Sequence, residues 1–151
     1  MADNRSIENR SKNMAAIASK DTKPEVFLRR LLFNDGYRFR KNCKKMTGHP
    51  DIWMRKYNTV IFVNGCFWHM HKNCKYSGIP KSRSQYWKEK FDYNVSRDIK
   101  TQNEYRERGI KCLIVWECAI KKAKKEKSSD KLLLEIKEFL ESEELFKEIG
   151  G

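Results

Sequence analysis

The sequence predicts a mixed α/β fold, in which helices cover one β-sheet. Two short apolar runs rich in β-branched residues, at positions 59–63 and 112–116, are typical of buried strands. Segments with apolar residues at helical spacing, at about 84–108 and 130–146, alternate with these runs along the chain. This alternation favours a layered α/β domain, although periodicity alone leaves the order of the strands open.

The length and charge of the chain limit the class of protein. Its 151 residues predict one domain, which buries roughly 68–70% of the surface of the unfolded chain. The 33 Lys and Arg residues exceed the 20 Asp and Glu residues by 13, which indicates a polyanionic partner such as nucleic acid or an acidic membrane surface. No apolar run approaches the roughly 20 residues that span a bilayer, so membrane insertion is not expected.

The cysteine count is interpreted together with the cellular setting. The amino terminus has no apolar signal core, which favours the reducing cytosol. Five cysteines in that setting favour metal ligation or free thiols over disulfides.

The first 20 residues are polar and basic, apart from a small apolar cluster around Met14. This composition fits either a solvated terminus or an arm that reaches along a phosphate backbone. We therefore predict a basic N-terminal arm at 1–20, with DNA as its partner, and a single domain at 21–151.

A helix is predicted to begin after Thr22. Thr22 can cap its amino terminus, Pro24 suits the first turn, and Glu25 can complete a capping box. Capping alone would account for Glu25. Residues 34–36 end the helix, and its apolar face consists of Phe27, Leu28, Leu31 and Leu32.

The next elements are strands. Residues 37–41 alternate as a half-buried strand does, and residues 51–55 and 59–63 form a predicted antiparallel hairpin. A loop follows from 65 to about 82.

Two helices are predicted in the second half of the chain, at about 84–108 and 130–146, with a lysine-rich linker at 121–127. The predicted inward residues are Trp87, Phe91, Val95 and Ile99 in the first helix, and Leu133, Ile136, Phe139 and Leu140 in the second.

A candidate metal site follows the strand at 59–63. Cys66, His71 and Cys74 lie in one loop and supply three of the four ligands of a tetrahedral zinc site. Cys118, just after the strand at 112–116, is the natural fourth ligand. Cys112 competes with it but lies inside the apolar run, which indicates a core residue.

Two further residues fit the hydrolysis of a phosphodiester. Asp51 follows Pro50 and opens a strand, where its carboxylate can bind Mg²⁺ through oxygen, although a Pro-Asp pair is also typical of a turn. His69 lies in the loop, and a neutral imidazole can take a proton from water. A hard cation can neutralise the phosphoryl oxygens and help the leaving oxygen.

The aromatic pair Phe67-Trp68 lies between the cysteine ligand and His69. Such a pair is usually part of a core. Among polar ligands in a loop, it is also consistent with an exposed wedge that pushes between base pairs. Trp87 either joins that wedge or begins the buried stripe of the long helix.

Together these residues resemble the Vsr family, the very-short-patch-repair DNA mismatch endonucleases. The resemblance runs from about Arg10 to Cys118, and the strings at 65–69 and 115–118 are its most specific parts. The matching positions are 11–14, the Glu25 helix, 50–51, 60–62, 65–69, 71, 94–95, 97–98 and 113–118.

The resemblance implies a restriction-endonuclease-like core and an enzyme that nicks one DNA strand 5′ to the thymine of a T·G mismatch. Such mismatches arise by deamination of 5-methylcytosine. By the matching positions, Asp51 and the backbone carbonyl of Val63 would hold Mg²⁺, and His69 would be the general base. Glu25 would assist by hydrogen bonds around the attacking water or its base.

The resemblance also implies a structural zinc and a surface that recognises the mismatch. The implied Zn²⁺ ligands are Cys66, His71, Cys74 and Cys118. The implied DNA contacts are an aromatic wedge of Phe67, Trp68 and Trp87, and an approach of Met14 from the minor groove.

The chain departs from the family pattern before Gly65, where Val63-Asn64 replaces Thr-His. Asn64, the candidate catalytic residue at this position, can donate a hydrogen bond but cannot become charged. If a second histidine stabilises the phosphoryl transition state, Asn64 should slow the reaction or pass the task to water or a lysine. The spacing from His71 to Cys74 is one residue longer than expected, and the second strand lacks the acid-x-Lys half of the usual restriction-enzyme signature.

Three functions remain open at this point. They are nicking at a T·G mismatch, nicking by the same fold at another mismatch or an intact site, and DNA binding by a zinc-stabilised module without turnover. Candidate partners beyond the DNA duplex are mismatch-repair proteins and a cognate cytosine-5 methyltransferase system. A nick in one strand suits a monomer, and we expect a bacterial, cytoplasmic protein that associates with the nucleoid through DNA.

Overall fold

The computed structural model describes residues 21–150, so the predicted arm and Met14 lie outside the described residues. Within that range, none of the helices is long and apolar enough to cross a bilayer. The elements are α1 (Lys23–Asn34), β1 (Arg40–Lys41), β2 (Ile52–Met54), a 3₁₀ turn (Arg55–Tyr57), β3 (Thr59–Asn64), α2 (Ser84–Glu107), β4 (Lys111–Trp116), α3 (Glu117–Lys125), α4 (Ser129–Glu141) and β5 (Phe146–Ile149).

The described strands form one sheet in the order β1-β2-β3-β4-β5. The first three strands are antiparallel, whereas β3, β4 and β5 run parallel. The predicted mixed α/β fold and the predicted hairpin are confirmed. Because Asn64 pairs with Trp116, the loop after β3 and the first turn of α3 begin at the same edge of the sheet.

Helix α1 begins as predicted. The Thr22 hydroxyl accepts the Glu25 backbone N–H at 3.5 Å, and the Glu25 carboxylate accepts the Asp21 N–H at 2.8 Å. The first bond satisfies a donor that the first turn of a helix leaves without a partner. The second ties Asp21, the residue before the cap, to that turn. Leu28 and Leu32 are fully buried, which fixes the helix against the sheet.

The sheet separates two clusters of buried side chains, because alternate residues of a strand point to opposite faces. On one side, which we call the helix face, Ile61, Leu113 and Val115 pack with apolar residues of α1, α3 and α4. On the other, which we call the loop face, Val60, Cys112, Ile114 and Trp116 pack with Tyr105 of α2 and with Cys66 and Cys118.

The lysine-rich linker predicted at 121–127 is wrong, because helix α3 covers most of it. Lysine is a good helix former, and long charged side chains can remain in water while the other side of the helix is buried. Ala119, Ile120 and Ala123 supply that buried side against the helix face.

The predicted helix at 130–146 is too long. Helix α4 ends at Glu141, and Phe146 belongs to β5, which pairs with β4. Leu132 is buried where Leu133 was expected, and Leu133 is only partly buried. A short edge strand after a helix carries little periodic signal, so the chain reversal could not be placed from the sequence.

Lys111 satisfies the carbonyl end of α4. Its ammonium donates to the carbonyl oxygens of Phe139 at 2.5 Å, Leu140 at 3.0 Å and Ser142 at 2.7 Å. Lys111 is 8% exposed, and its burial lowers the pKa of the ammonium. A positive group at this position also complements the negative end of the helix dipole.

The long helix is confirmed, but its predicted stripe is wrong at Ile99, which is 53% exposed. A step of four residues turns an α-helix by about 400°, so each step drifts by about 40°. Phe91 and Tyr105 are the buried residues of this helix. The predicted strand at 37–41 is also shorter than expected, since only Arg40–Lys41 pairs with β2.

Candidate active site and metal centre

A cleft of about 480 Å³ opens where β3 ends, between the start of α1 and the middle of α2. It contains all four residues for which we predicted a part in catalysis. Its lining consists of Glu25, Gly48, His49, Asp51, Phe62, Val63, Asn64, His69, Arg97, Asp98, Thr101, Gln102 and Ile114.

Asp51 lies at the start of β2, where its carboxylate accepts the backbone N–H of Val63 at 2.6 Å. Burial, followed by the negative charge of Glu25, raises the pKa of Asp51 to about 7. Two acidic groups held this close in a buried position favour a bound cation or a shared proton. The available donors are oxygens, which is the ligand type that Mg²⁺ prefers, so the residues present fit that ion.

Glu25 belongs both to the first turn of α1 and to the wall of the cleft. It is 4% exposed, and its carboxylate lies 3.5 Å from a guanidinium nitrogen of Arg29. Arg29 also pairs with Asp21 at 2.6 Å. The predicted Thr22 cap is therefore confirmed, whereas the Glu25 carboxylate bonds to the N–H of Asp21, one residue before the N–H that a capping box uses.

His69 is held by an acidic residue that the sequence analysis did not select. Its ring Nδ1 lies 2.5 Å from the Asp98 carboxylate, which comes from α2. A carboxylate accepts hydrogen bonds, so the Nδ1 atom carries the hydrogen and Nε2 is left for another partner. Asp98 lies seven residues after the buried Phe91, which places both on the same side of the helix. An acidic residue on a buried side of a helix is unusual, and this was the signal in the sequence that could have identified Asp98 as a site residue.

Asn64 and Val63 complete the mouth of the cleft at the end of β3. Asn64 is 5% exposed and pairs with Trp116 across the parallel strands. Val63 offers its backbone N–H to Asp51, which places its peptide next to the carboxylate. Four other polar or basic residues of the lining were not predicted: His49, Arg97, Thr101 and Gln102.

The predicted zinc ligands come together beside this cleft. The ligand atoms of Cys66, His71, Cys74 and Cys118 all lie within 4.8 Å of one another. In a tetrahedral site with Zn–S bonds of about 2.3 Å, sulfur ligands are about 3.8 Å apart. This donor set fits a structural zinc, and Cys112 is buried in β4 outside the group.

Neighbouring groups orient these ligands. The His71 Nδ1 atom lies 3.6 Å from the sulfur of Cys66 and 3.4 Å from that of Cys118, and its ring stacks on Trp116 with centroids 4.1 Å apart. The Cys118 backbone N–H donates to the sulfur of Cys66 at 3.4 Å. Burial raises the pKa of the Cys66 thiol, which a bound metal would offset by stabilising the thiolate.

The three predicted wedge residues form one aromatic cluster. Phe67 contacts Trp68 and Trp87, each with centroids 5.4 Å apart, and meets the buried Phe91 edge-on at 5.0 Å. Phe67, Trp68 and Trp87 are all partly exposed. Asn94 donates to the carbonyl of Trp68 at 3.0 Å and ties the loop to α2. The cluster therefore rests on a core residue and also reaches solvent, and its role as a wedge stays a prediction.

Comparison with known proteins identifies relatives that match most of this chain. Residues 2–76 match the family described as DNA mismatch endonuclease Vsr. The chain is 45% identical over 139 residues to the type II nicking enzyme V.NmeAIP of Neisseria meningitidis serogroup A, a match that covers 91% of this chain and 99% of that protein. It is 42% identical over 135 residues to the DNA mismatch endonuclease Vsr of Escherichia coli, covering 89% and 85% of the two chains.

A third relative, the type II nicking enzyme V.XorIIP of Xanthomonas oryzae, is 40% identical over 120 residues, which cover 80% of this chain and 88% of that one. Each of these matches spans most of both proteins.

Proposed function

Because this chain belongs to the Vsr family and is a DNA endonuclease, we propose that it nicks one strand of a duplex 5′ to the thymine of a T·G mismatch. Such a nick would begin very short patch repair of deaminated 5-methylcytosine. The observation that carries this proposal is the meeting of Asp51, Glu25 and an Asp98-bound His69 in one cleft.

His69 is the proposed general base. Its Nε2 atom accepts a proton from the attacking water, and the Asp98 carboxylate at Nδ1 stabilises the imidazolium that forms. Glu25 assists by hydrogen bonding around that water or its base. Asn64 donates a hydrogen bond to the phosphate and adds no charge, which predicts a slower step than a second histidine would give.

Asp51 and the backbone carbonyl of Val63 are the proposed ligands of Mg²⁺. When bound, the cation would neutralise charge on the phosphoryl oxygens and help the leaving oxygen depart. The support is the buried, paired carboxylate, since burial, followed by the negative charge of Glu25, raises the pKa of Asp51 to about 7.

Cys66, His71, Cys74 and Cys118 are the proposed ligands of a structural Zn²⁺. The chain between the first two ligands carries the aromatic pair and His69, so ligation at its ends restrains the catalytic loop. We assign the exposed part of the aromatic cluster to the wedge that opens the base stack. The sheet with its flanking helices is compatible with a restriction-endonuclease-like core.

The remaining parts of the proposal concern the assembly. A monomer in the bacterial cytoplasm, associated with the nucleoid through DNA, would suffice to nick one strand of an asymmetric lesion. Mismatch-repair proteins and a cognate cytosine-5 methyltransferase system are its candidate partners. Met14 and the rest of the arm at 1–20 would approach the minor groove.

The deciding experiment is cleavage of strand-labelled T·G duplexes with Mg²⁺ in varied sequence contexts. Asp51→Asn should abolish nicking and leave binding of the duplex largely intact. His69→Ala should lower the rate by about 10²–10⁴-fold, the usual contribution of a general base. Asp92→Asn, an exposed carboxylate on the same helix as Asp98, is the control and should nick as the unchanged protein does.

Full activity in Asp51→Asn would exclude the mechanism. A panel of matched and mismatched duplexes separates the proposed target from the second candidate, a nuclease of the same fold with another site. The third candidate rests on Asn64, and it predicts binding without product in either Mg²⁺ or Mn²⁺.

A further inference from the structure

One row of side chains on α2 combines basic and aromatic residues. Tyr86, Lys90, Tyr93, Arg97 and Lys100 follow one another at steps of four, three, four and three residues. That spacing places them on one side of an α-helix over about 21 Å. Arg83, the N-cap residue, extends the row, because its guanidinium lies 4.4 Å from the centre of the Tyr86 ring. We call these six residues the basic track.

The charges of the track are not neutralised locally. It contains four cations and no acidic residue, and among residues 21–150 none of its cations forms an ion pair. Glu89 lies beside the row, three residues after Tyr86, and accepts a hydrogen bond from Gln85 at 3.0 Å. Asp98, which follows Arg97 in the sequence, lies on another side of the helix and bonds to His69. Glu104 follows Lys100 by four residues and ends the row. A solvated helix surface usually mixes charges of both signs, whereas this row carries one sign.

Aromatic rings support most of the cations. The Arg97 guanidinium lies 5.8 Å from the centre of the Tyr93 ring, and the Lys90 ammonium lies 5.4 Å from that of Trp68. Contacts of this kind hold a long side chain in place but leave its positive charge available to an anion.

The track also connects the two parts of the candidate site. Its middle residue Lys90 contacts the aromatic cluster through Trp68, and Arg97 lines the cleft. A strand that enters the cleft with one phosphate would therefore place neighbouring phosphates along α2.

We propose that the basic track binds the phosphate backbone of the DNA beside the nick and so sets the register of the strand in the cleft. The contact depends on the charge and spacing of the phosphates and is independent of the mismatch, since phosphate groups are the same at every base pair. This inference rests on the proposed function only in taking duplex DNA as the ligand.

The test compares two double variants that each remove two positive charges from α2. Arg83→Ala with Lys100→Ala removes both ends of the track, whereas Lys88→Ala with Arg106→Ala removes exposed cations on the opposite side of the helix. The Arg83 side chain makes no capping hydrogen bond, and alanine is a good helix former, so both variants should fold. Circular dichroism and thermal melting check this.

Binding to a labelled, fully matched duplex is measured by fluorescence anisotropy over a range of KCl concentrations without divalent cations. Each lost phosphate contact should reduce the slope of log K against log salt by about 0.9. The track variant should therefore lose about 1.8 from the slope for two contacts, and the control variant should retain it. Equal losses in both variants would show diffuse attraction, and no loss in the track variant would show that another surface binds the backbone; either result overturns the proposal.

The outcome is separable from that of the proposed function. If the protein fails to nick T·G duplexes but the track variant shows the predicted change of slope, the proposed phosphate contact stands and the proposed target is wrong. If the protein nicks T·G duplexes but both double variants keep the full slope, the proposed target stands and the proposed phosphate contact of the track is wrong.

Discussion

The two faces of the sheet are stabilised in different ways. On the helix face, three helices pack apolar side chains such as Leu28, Ile136 and Phe139 against Ile61 and Leu113. On the loop face, one helix and a long irregular loop cover strands that share their cluster with cysteines. Burial of apolar surface is sufficient to stabilise the packing on the helix face.

The difference shows where the chain places its chemistry. The segment from Gly65 to Arg83 contains turns but no helix or strand, and it has few apolar side chains to bury. A loop of this length loses much conformational entropy when it is ordered. Four converging ligands can supply the missing stabilisation through a metal, while Asp98 of α2 holds His69 within this loop.

The largest expected effect is removal of the proposed zinc. Because the loop face depends on the ligand set, Cys118→Ser or chelation should destabilise the protein by more than about 5 kcal/mol, the upper range for a single apolar truncation. Metal analysis and thermal unfolding measure this. Cys43→Ser, outside the ligand group, should leave the zinc content unchanged, and a purified protein without one zinc per chain would contradict the assignment.

Truncation on the helix face should have a smaller effect. Phe139 is 1% exposed, and Phe139→Ala should reduce the free energy of unfolding by about 3–5 kcal/mol through lost contacts and a cavity. Urea unfolding measures it. Leu134 on the same helix is 56% exposed, and Leu134→Ala should change stability by less than about 0.5 kcal/mol. A similar loss of unfolding free energy in the two variants would show that α4 does not pack on the sheet through the side that carries Phe139.

Lys111 connects the loop end of β4 to the carbonyl end of α4. Lys111→Met keeps most of the side-chain volume but removes three hydrogen bonds, so it should cost about 1–3 kcal/mol. The loss should appear first as faster amide hydrogen exchange in the last turn of α4. Unchanged exchange there would show that water replaces the ammonium without cost.

The smallest effect concerns Cys112 and alkaline pH. Burial raises the pKa of this thiol to about 12, whereas an unfolded cysteine ionises near 8.5. Below about pH 8.5 both states are protonated, so Cys112 contributes no pH dependence. Above it only the unfolded state loses the proton, and stability should fall by about 1.4 kcal/mol per pH unit.

Cys112→Val should remove this component of the alkaline decrease, measured as the difference between the two proteins in urea unfolding from pH 8 to 10. Parallel curves for the two proteins would show that the thiol is accessible to solvent when folded.

Local patterns in the sequence predicted most of the elements. The capped start of α1, the hairpin of β2 and β3, and the long helix α2 each follow from residues close together in the chain. The errors at 121–127 and at Phe146 have one cause, since contacts with distant residues decide whether a lysine-rich segment becomes a helix and whether a short segment joins the sheet. The exposed position of Ile99 reflects the drift of a four-residue step.

The sequence by itself determined which chemical groups are present: an acidic residue before a strand, a loop of cysteines and histidines, and a basic surface. Those properties depend on residue type and short spacing, which a linear pattern contains. Only the tertiary structure decided that Asp98 holds His69, and that burial, followed by the charge of Glu25, raises the pKa of Asp51. These are contacts between residues far apart in the chain, and they depend on how the parallel strands align β3 with β4 and how α2 packs over the loop.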